Sequence, residues 1–194
     1  ENALIDMTDD EPRLYRLLEI LENFNMQLVR NYINKQGAKW MGFAEDLGMQ
    51  KGPMLPPAYF RKFIKPSYTR IMKEARDNGC IVHVHADGDL HQLIDDVLDC
   101  GLDVLNLQDL VNGIDWIKEN LKTRVCIELD IDRQDITVGG TARQIDNLIR
   151  EEVAELASPQ GGLMMIYGLY PGVPLENVKA IMDAMEKYCT YWTN

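Results

Sequence analysis

Apolar positions near the start of the chain recur at three- and four-residue steps: Leu14, Leu17, Leu18, Leu21, Phe24, Leu28 and Val29, after Pro12 and the acidic stretch TDDE. That spacing predicts an amphipathic helix from Pro12 to about Asn34. The period then changes. AKWMGFAED (38–46) reads as a strand, GMQKGPMLPP as a loop rich in Gly and Pro, and a second helix is expected from Ala58 through YFRKFIKPSYTRIMKEARDNG. Pro66 is a break or kink in it, because proline lacks the N–H that the helical ladder uses, and Asn78-Gly79 is its stop.

From Cys80 the alternation is regular. Strands are predicted at 80–86, 103–108, 124–130 and 162–168, and helices at 90–101, 113–121, 141–157 and 174–188. Short apolar strands alternating with amphipathic helices imply βαβ units and a parallel sheet covered on both faces. An open doubly wound sheet and a (βα)8 barrel both fit this rhythm, so the strand ends decide. A barrel gathers reactive groups at the C-terminal ends of many successive strands. Each strand here ends polar: Glu45-Asp46, then His85 and Asp87, then Asn106 with Gln108-Asp109, then Glu128 with Asp130, then Tyr167. No GxGxxG turn opens a helix, as a dinucleotide fold would need. The expected class is therefore α/β, about five βα units of a (βα)8 TIM barrel. They form one partial-barrel domain over residues 1–194, with 1–37 as a leading helix and 38–194 as the βα units.

The stretch CIVHVHADG (80–88) places His83, His85 and Asp87 on one strand face and Val82, Val84 and Ala86 on the other. Cys126, Glu128 and Asp130 share a face in the same manner, as do Val104, Asn106 and Gln108. Leaving such groups unpaired in an apolar interior costs about a few kcal/mol each. Two arrangements satisfy them: a divalent metal such as Zn²⁺ held by His85, Asp87 and Glu128 with Glu45 converging, or a hydrogen-bond network around a polar substrate. His85, Asp87, Asn106 and Glu128 are the candidate catalytic residues; Glu45, Asp46, His83, Gln108, Asp130 and Tyr167 are candidate substrate contacts. Glu45 and Asp46 are adjacent, so only one of them can point inward. His91, Asp109 and Asp132 read as capping or loop residues, and DNLIREEVAELA as a solvated helix face.

Composition narrows the partners. With 31 acidic and 20 basic residues the net charge is −11, which opposes nucleic acid and anionic lipid. Apolar runs such as GGLMMIYGLYPG are too short to span a membrane, and ENALIDMTDDEPRL has no signal-peptide pattern, so the cytoplasm is the expected location. Cys80, Cys100, Cys126 and Cys189 form no CxxC pair and read as buried thiols. An H-x-H at a strand end would suit a binuclear amidohydrolase, but no histidine follows His91 to complete such a site.

The segments FAEDLGMQKGPMLPPAYFRKFIKPSYTRI, VHADGDLHQLIDDVLDCGLDVLNLQ, ELDIDRQDI, GGTARQI and PGVPLENVKAIMDAM together resemble the uroporphyrinogen decarboxylase superfamily, in particular its corrinoid-dependent methyltransferase branch. The resemblance runs from about Ala38 to Tyr188 and implies that the chain is the C-terminal part of the (βα)8 barrel. It implies a methyltransferase that moves a methyl group between a small methylated compound and a corrinoid protein carrying cobalamin. It places His85 on a zinc-binding histidine of thiol-methylating members, but Asp87 stands where their first cysteine would be, and no cysteine lies near Tyr167 or Gly168. The set here is rich in oxygen, which suits a Lewis acid acting on an ether or alcohol oxygen.

Two rivals remain. Decarboxylases of the superfamily take a polyanionic porphyrinogen, whose entry a rim of Glu45, Asp46, Asp87, Glu128 and Asp130 opposes. The other rival is a non-catalytic partial-barrel binding module. A chain ending at residue 194 is expected to form a homodimer, since open parallel edges must be paired or covered.

Overall fold

The computed structural model describes residues 2–192. In chain order the elements are α1 (Asn2–Thr8), α2 (Pro12–Gln36), β1 (Trp40–Glu45), β2 (Gly48–Met49), β3 (Gly52–Pro53), α3 (Pro57–Tyr59), a π-helical turn (Phe60–Ile64) and α4 (Lys65–Asp77). Then come β4 (Ile81–Ala86), α5 (Ile94–Leu98), β5 (Val104–Gln108), α6 (Asp109–Asn112), α7 (Ile114–Leu121), β6 (Cys126–Asp130), α8 (Ile136–Gly139), α9 (Ala142–Leu156), β7 (Leu163–Ile166) and α10 (Leu175–Tyr188). The class is α/β, and the five longer strands are ordered β1–β4–β5–β6–β7, which is also their order along the chain. Packing divides the chain into two compact units, one up to Val104 and one from Leu105 on.

In the first unit α2 starts where Pro12 supplies a helical φ without needing an N–H partner, and it ends at Gly37, whose φ of 67° closes the last turn. Glu22 of α2 accepts hydrogen bonds from Ser67 and Arg70 of α4, and Arg30 pairs with Glu74 through two bonds of 3.0 Å. α2 buries Leu14 and Val29, whereas Leu17, Leu21 and Phe24 of the same apolar pattern are exposed. The period thus gives the helix correctly without saying which of its apolar positions finds a partner. Pro66 does not end its helix. One residue earlier the ladder widens, with the Lys65 N–H donating to the Phe60 carbonyl, and the helical path continues. Phe60 is fully buried against Leu93 and Val97.

β1 and β4 pair in parallel, with Gly42 beside His83, Ala44 beside His85 and Glu45 beside Ala86. Paired residues of neighbouring strands project to the same side. Val82, Val84 and Ala86 are wholly buried, so the face bearing Met41, Phe43 and Glu45 is the one packed under helices. The helix expected over 90–101 is shorter. Asp89 accepts the His91 N–H in a turn, and regular helix begins only at Ile94.

In the second unit β6 and β7 pair in parallel, with Glu128 beside Met164 and Asp130 beside Ile166. Thr141 opens α9 with a reciprocal capping box to Gln144. α9 packs Leu148, Ile149 and Val153 against Ile131 and Ala184. The expected solvated face within DNLIREEVAELA is overturned at Glu152, which is 0% exposed. It lies on the buried stripe Ile145, Ile149, Glu152 and Leu156, at helical spacing. Among the described residues no helix is long and apolar enough to cross a membrane.

Candidate functional site

β4 ends at Ala86, and its parity carries His85 to the face away from the helices. The His85 Nε2 lies 3.6 Å from Asp87 Oδ1 and 3.9 Å from Asp46 Oδ1. One ligand atom from each residue falls within 4.8 Å of the other two. His85 and Asp87 are half-buried and Asp46 is exposed, so the group is open to solvent on one side. A four-coordinate metal with bonds of about 2.0–2.2 Å holds its ligand atoms roughly 3.3–3.5 Å apart. The two distances to His85 Nε2 lie within about 0.6 Å of that spacing. One nitrogen and two carboxylates fit a divalent ion and leave a coordination position open, as catalytic sites do.

Of the adjacent acids it is Asp46 that joins His85. Glu45 is on the opposite face, where its carboxyl accepts a hydrogen bond from the Tyr68 hydroxyl in a cavity lined by Leu28, Tyr32, Met41, Phe43 and Met72. Burial there raises the Glu45 pKa above the usual carboxylate range, and burial beside Glu45 raises that of the Tyr68 phenol. The expected convergence of Glu45 on the histidine therefore does not occur, because one residue along a strand is one change of face. His83 lies one pleat deeper than His85, its ring 5.6 Å from that of Trp40 and over Gly42. His91 is exposed in the Asp89 turn, where Asp89 is the capping group and the His91 N–H the group it caps.

In the second unit the polar strand residues are deep. Asn106 is 1% exposed and donates to the Glu128 carbonyl at 2.9 Å, and Gln108 is 6% exposed with its carbonyl bound by the Asn112 amide. Asp130 accepts from Arg133 at 2.8 Å, and the same Arg133 nitrogen donates to the Tyr170 hydroxyl while the guanidinium lies 5.1 Å from the Tyr170 ring. Tyr167 is not on the face of Glu128 and Asp130. The β6–β7 register gives it the parity of Leu163 and Met165, and its ring packs on the core around Ile131 and Ile149. Asp132 accepts from the N–H groups of Gln134, Asp135 and Thr137, the loop role its position suggested.

A buried acid pair went unread in the sequence. Asp109 is 1% exposed and accepts the Asp132 N–H at 2.7 Å, while Glu152 faces it from α9. Burial, and then the Asp109 carboxyl, push the Glu152 pKa up to about 10, and burial raises Asp109 as well. No N–H or O–H of another described residue reaches the Glu152 oxygens, so a raised pKa is what relieves two facing carboxylates in this buried place. The signal was available: Glu152 interrupts an otherwise apolar stripe.

The uroporphyrinogen decarboxylase (URO-D) family model matches residues 1–188. The chain belongs to that family. Among curated proteins, the chain is 24% identical over 138 residues to the methylcobamide:CoM methyltransferase MtaA of Methanosarcina barkeri, an alignment covering 70% of this chain and 38% of that protein. A solved methyltransferase from Methanosarcina mazei superposes with a TM-score of 0.73 at 20% identity, over 96% of this chain and 53% of the other. The chain thus spans about half or less of the length of these relatives, and its strand–helix alternation is that of a partial barrel.

Proposed function

We propose that the protein is a methyltransferase that moves a methyl group between a small methylated compound and a corrinoid protein. The observation that carries this reading is the Asp46–His85–Asp87 group at the C-terminal ends of β1 and β4, in a chain whose relatives are methyltransferases. When a methyl group leaves an oxygen for the corrinoid cobalt, the C–O bond breaks and the oxygen departs with the electron pair. That charge needs a proton or a nearby positive charge to neutralise it. His85, Asp46 and Asp87 would hold zinc, which supplies Lewis-acid stabilisation of that oxygen. The oxygen-rich set favours an ether or alcohol over a thiol as the methyl-bearing group.

Within the second unit Asn106, Gln108 and Asp130 are buried, and of these four strand-end residues it is the half-buried Glu128 that is open to a ligand. The loops GPMLPP and GLYPGVP, where Met54 and then Leu169 and Tyr170 expose apolar surface, are each a candidate contact for the corrinoid protein. The test is methyl transfer from a panel of methyl ethers and methylated thiols to a reduced corrinoid acceptor. Transfer from ethers that disappears in His85→Ala is the expected result. Transfer undiminished in that variant refutes the role of His85, and release of carbon dioxide from a porphyrinogen would favour the decarboxylase instead.

A further inference from the structure

Beside the Asp46–His85–Asp87 group, two loops approach backbone to backbone. A Cβ placed on Gly48 would lie 2.5 Å from the Asp89 nitrogen and 2.6 Å from the Gly88 carbonyl carbon; one on Gly88 would lie 2.2 Å from the Gly48 carbonyl carbon. Since no side chain fits between backbones at that distance, the seam exists only because both residues are glycine. Hydrogen bonds close it. The Gly48 N–H donates to the Asp87 carbonyl at 2.9 Å, and the Asp89 N–H to the Met49 carbonyl at 2.8 Å. The Asp89 carboxylate then accepts the Gly52 N–H at 2.9 Å with one oxygen and the His91 N–H at 2.9 Å with the other. Asp89 thereby pins the β2–β3 hairpin to the β4 loop.

The consequence falls on Asp46. It lies one residue beyond the last residue of β1, where strand pairing no longer fixes the backbone, and two residues before Gly48. Asp87 is itself a seam residue through its carbonyl. We propose that this glycine seam, pinned by Asp89, is the device that holds Asp46 against His85 and Asp87, with Gly48, Gly88 and Asp89 as positioning residues. The inference rests on the reading of that group as the reactive centre, but it concerns geometry and can fail separately.

Gly48→Ala is the direct probe, because Gly48 has no left-handed φ, so the added methyl acts through crowding alone; Gly88, at φ 84°, would add backbone strain. Asp89→Ala loosens the pin without crowding and stands in should Gly48→Ala not fold. Gly139→Ala, with open space around its Cβ, controls for glycine replacement itself. Each protein is titrated with zinc chloride and its crystal structure determined. The expected result is zinc affinity lowered about 10–100-fold in Gly48→Ala and Asp89→Ala, as for residues that orient ligands, and unchanged in Gly139→Ala. The separation of Asp46 and His85 should widen by more than about 0.5 Å, the tolerance of a preorganised site. Variants that bind zinc as the wild type does, or that keep the 3.9 Å separation, overturn the proposal. A wild type that binds no zinc refutes the metal reading instead, and the seam is then judged by the separation alone.

Discussion

The two units treat their acids in opposite ways. In the first, Asp46 and Asp87 flank His85 at strand ends, with Asp46 exposed and Asp87 half-buried. In the second, Asp109 and Glu152 of α9 are buried together, and burial raises the pKa of both. The same residue types thus serve an open rim suited to a ligand and a closed internal brace. What separates them is access: the group around His85 keeps an exposed member in Asp46, whereas in a sealed pair burial disfavours a second charge.

Substitutions sharpen this contrast. His85→Ala should remove zinc binding and lower methyl transfer at least 100-fold, a transition-state loss of about 2.7 kcal/mol, with little change in thermal midpoint. Asp109→Ala should do the reverse. It strips the Asp132 N–H of its acceptor and Glu152 of its partner, and is expected to cost about 2–4 kcal/mol in urea unfolding.

The pH dependence separates the units further. The Glu152 pKa is raised on folding from 4.5 to about 10, so between those values the folded chain holds a proton that the unfolded chain lacks. This group's contribution therefore makes stability fall as pH rises from about 5 toward 10. Glu152→Gln keeps the hydrogen bond without the ionisation and should flatten that slope in melts recorded across the range. The smallest effect is expected at Arg133→Ala, which frees Tyr170 from Asp130. About 1 kcal/mol of stability should be lost, together with faster proteolysis of the 168–174 loop.

Much of this was legible beforehand. Period and turn residues gave the long helices and all five longer strands, and strand parity gave the shared face of His83 and His85. Parity also contained the errors. Glu45 and Asp46 are neighbours with opposite faces, and only the register against Ala86 decides between them. Tyr167 follows Leu163 and Met165 into the core for the same reason. Asp89 and the glycine seam were not readable, because a contact between residues some forty positions apart leaves no local period. Of the break or kink expected at Pro66 the break does not occur, because the ladder absorbs the missing N–H by widening for one turn.

The central claim is that Asp46, His85 and Asp87 together hold a metal ion. Crystals grown with zinc, measured on both sides of the zinc absorption edge, test it directly. The account predicts one anomalous peak about 2.0–2.2 Å from His85 Nε2 and from an oxygen of each aspartate; a peak elsewhere, or none at this group while His85-dependent methyl transfer persists, would contradict it.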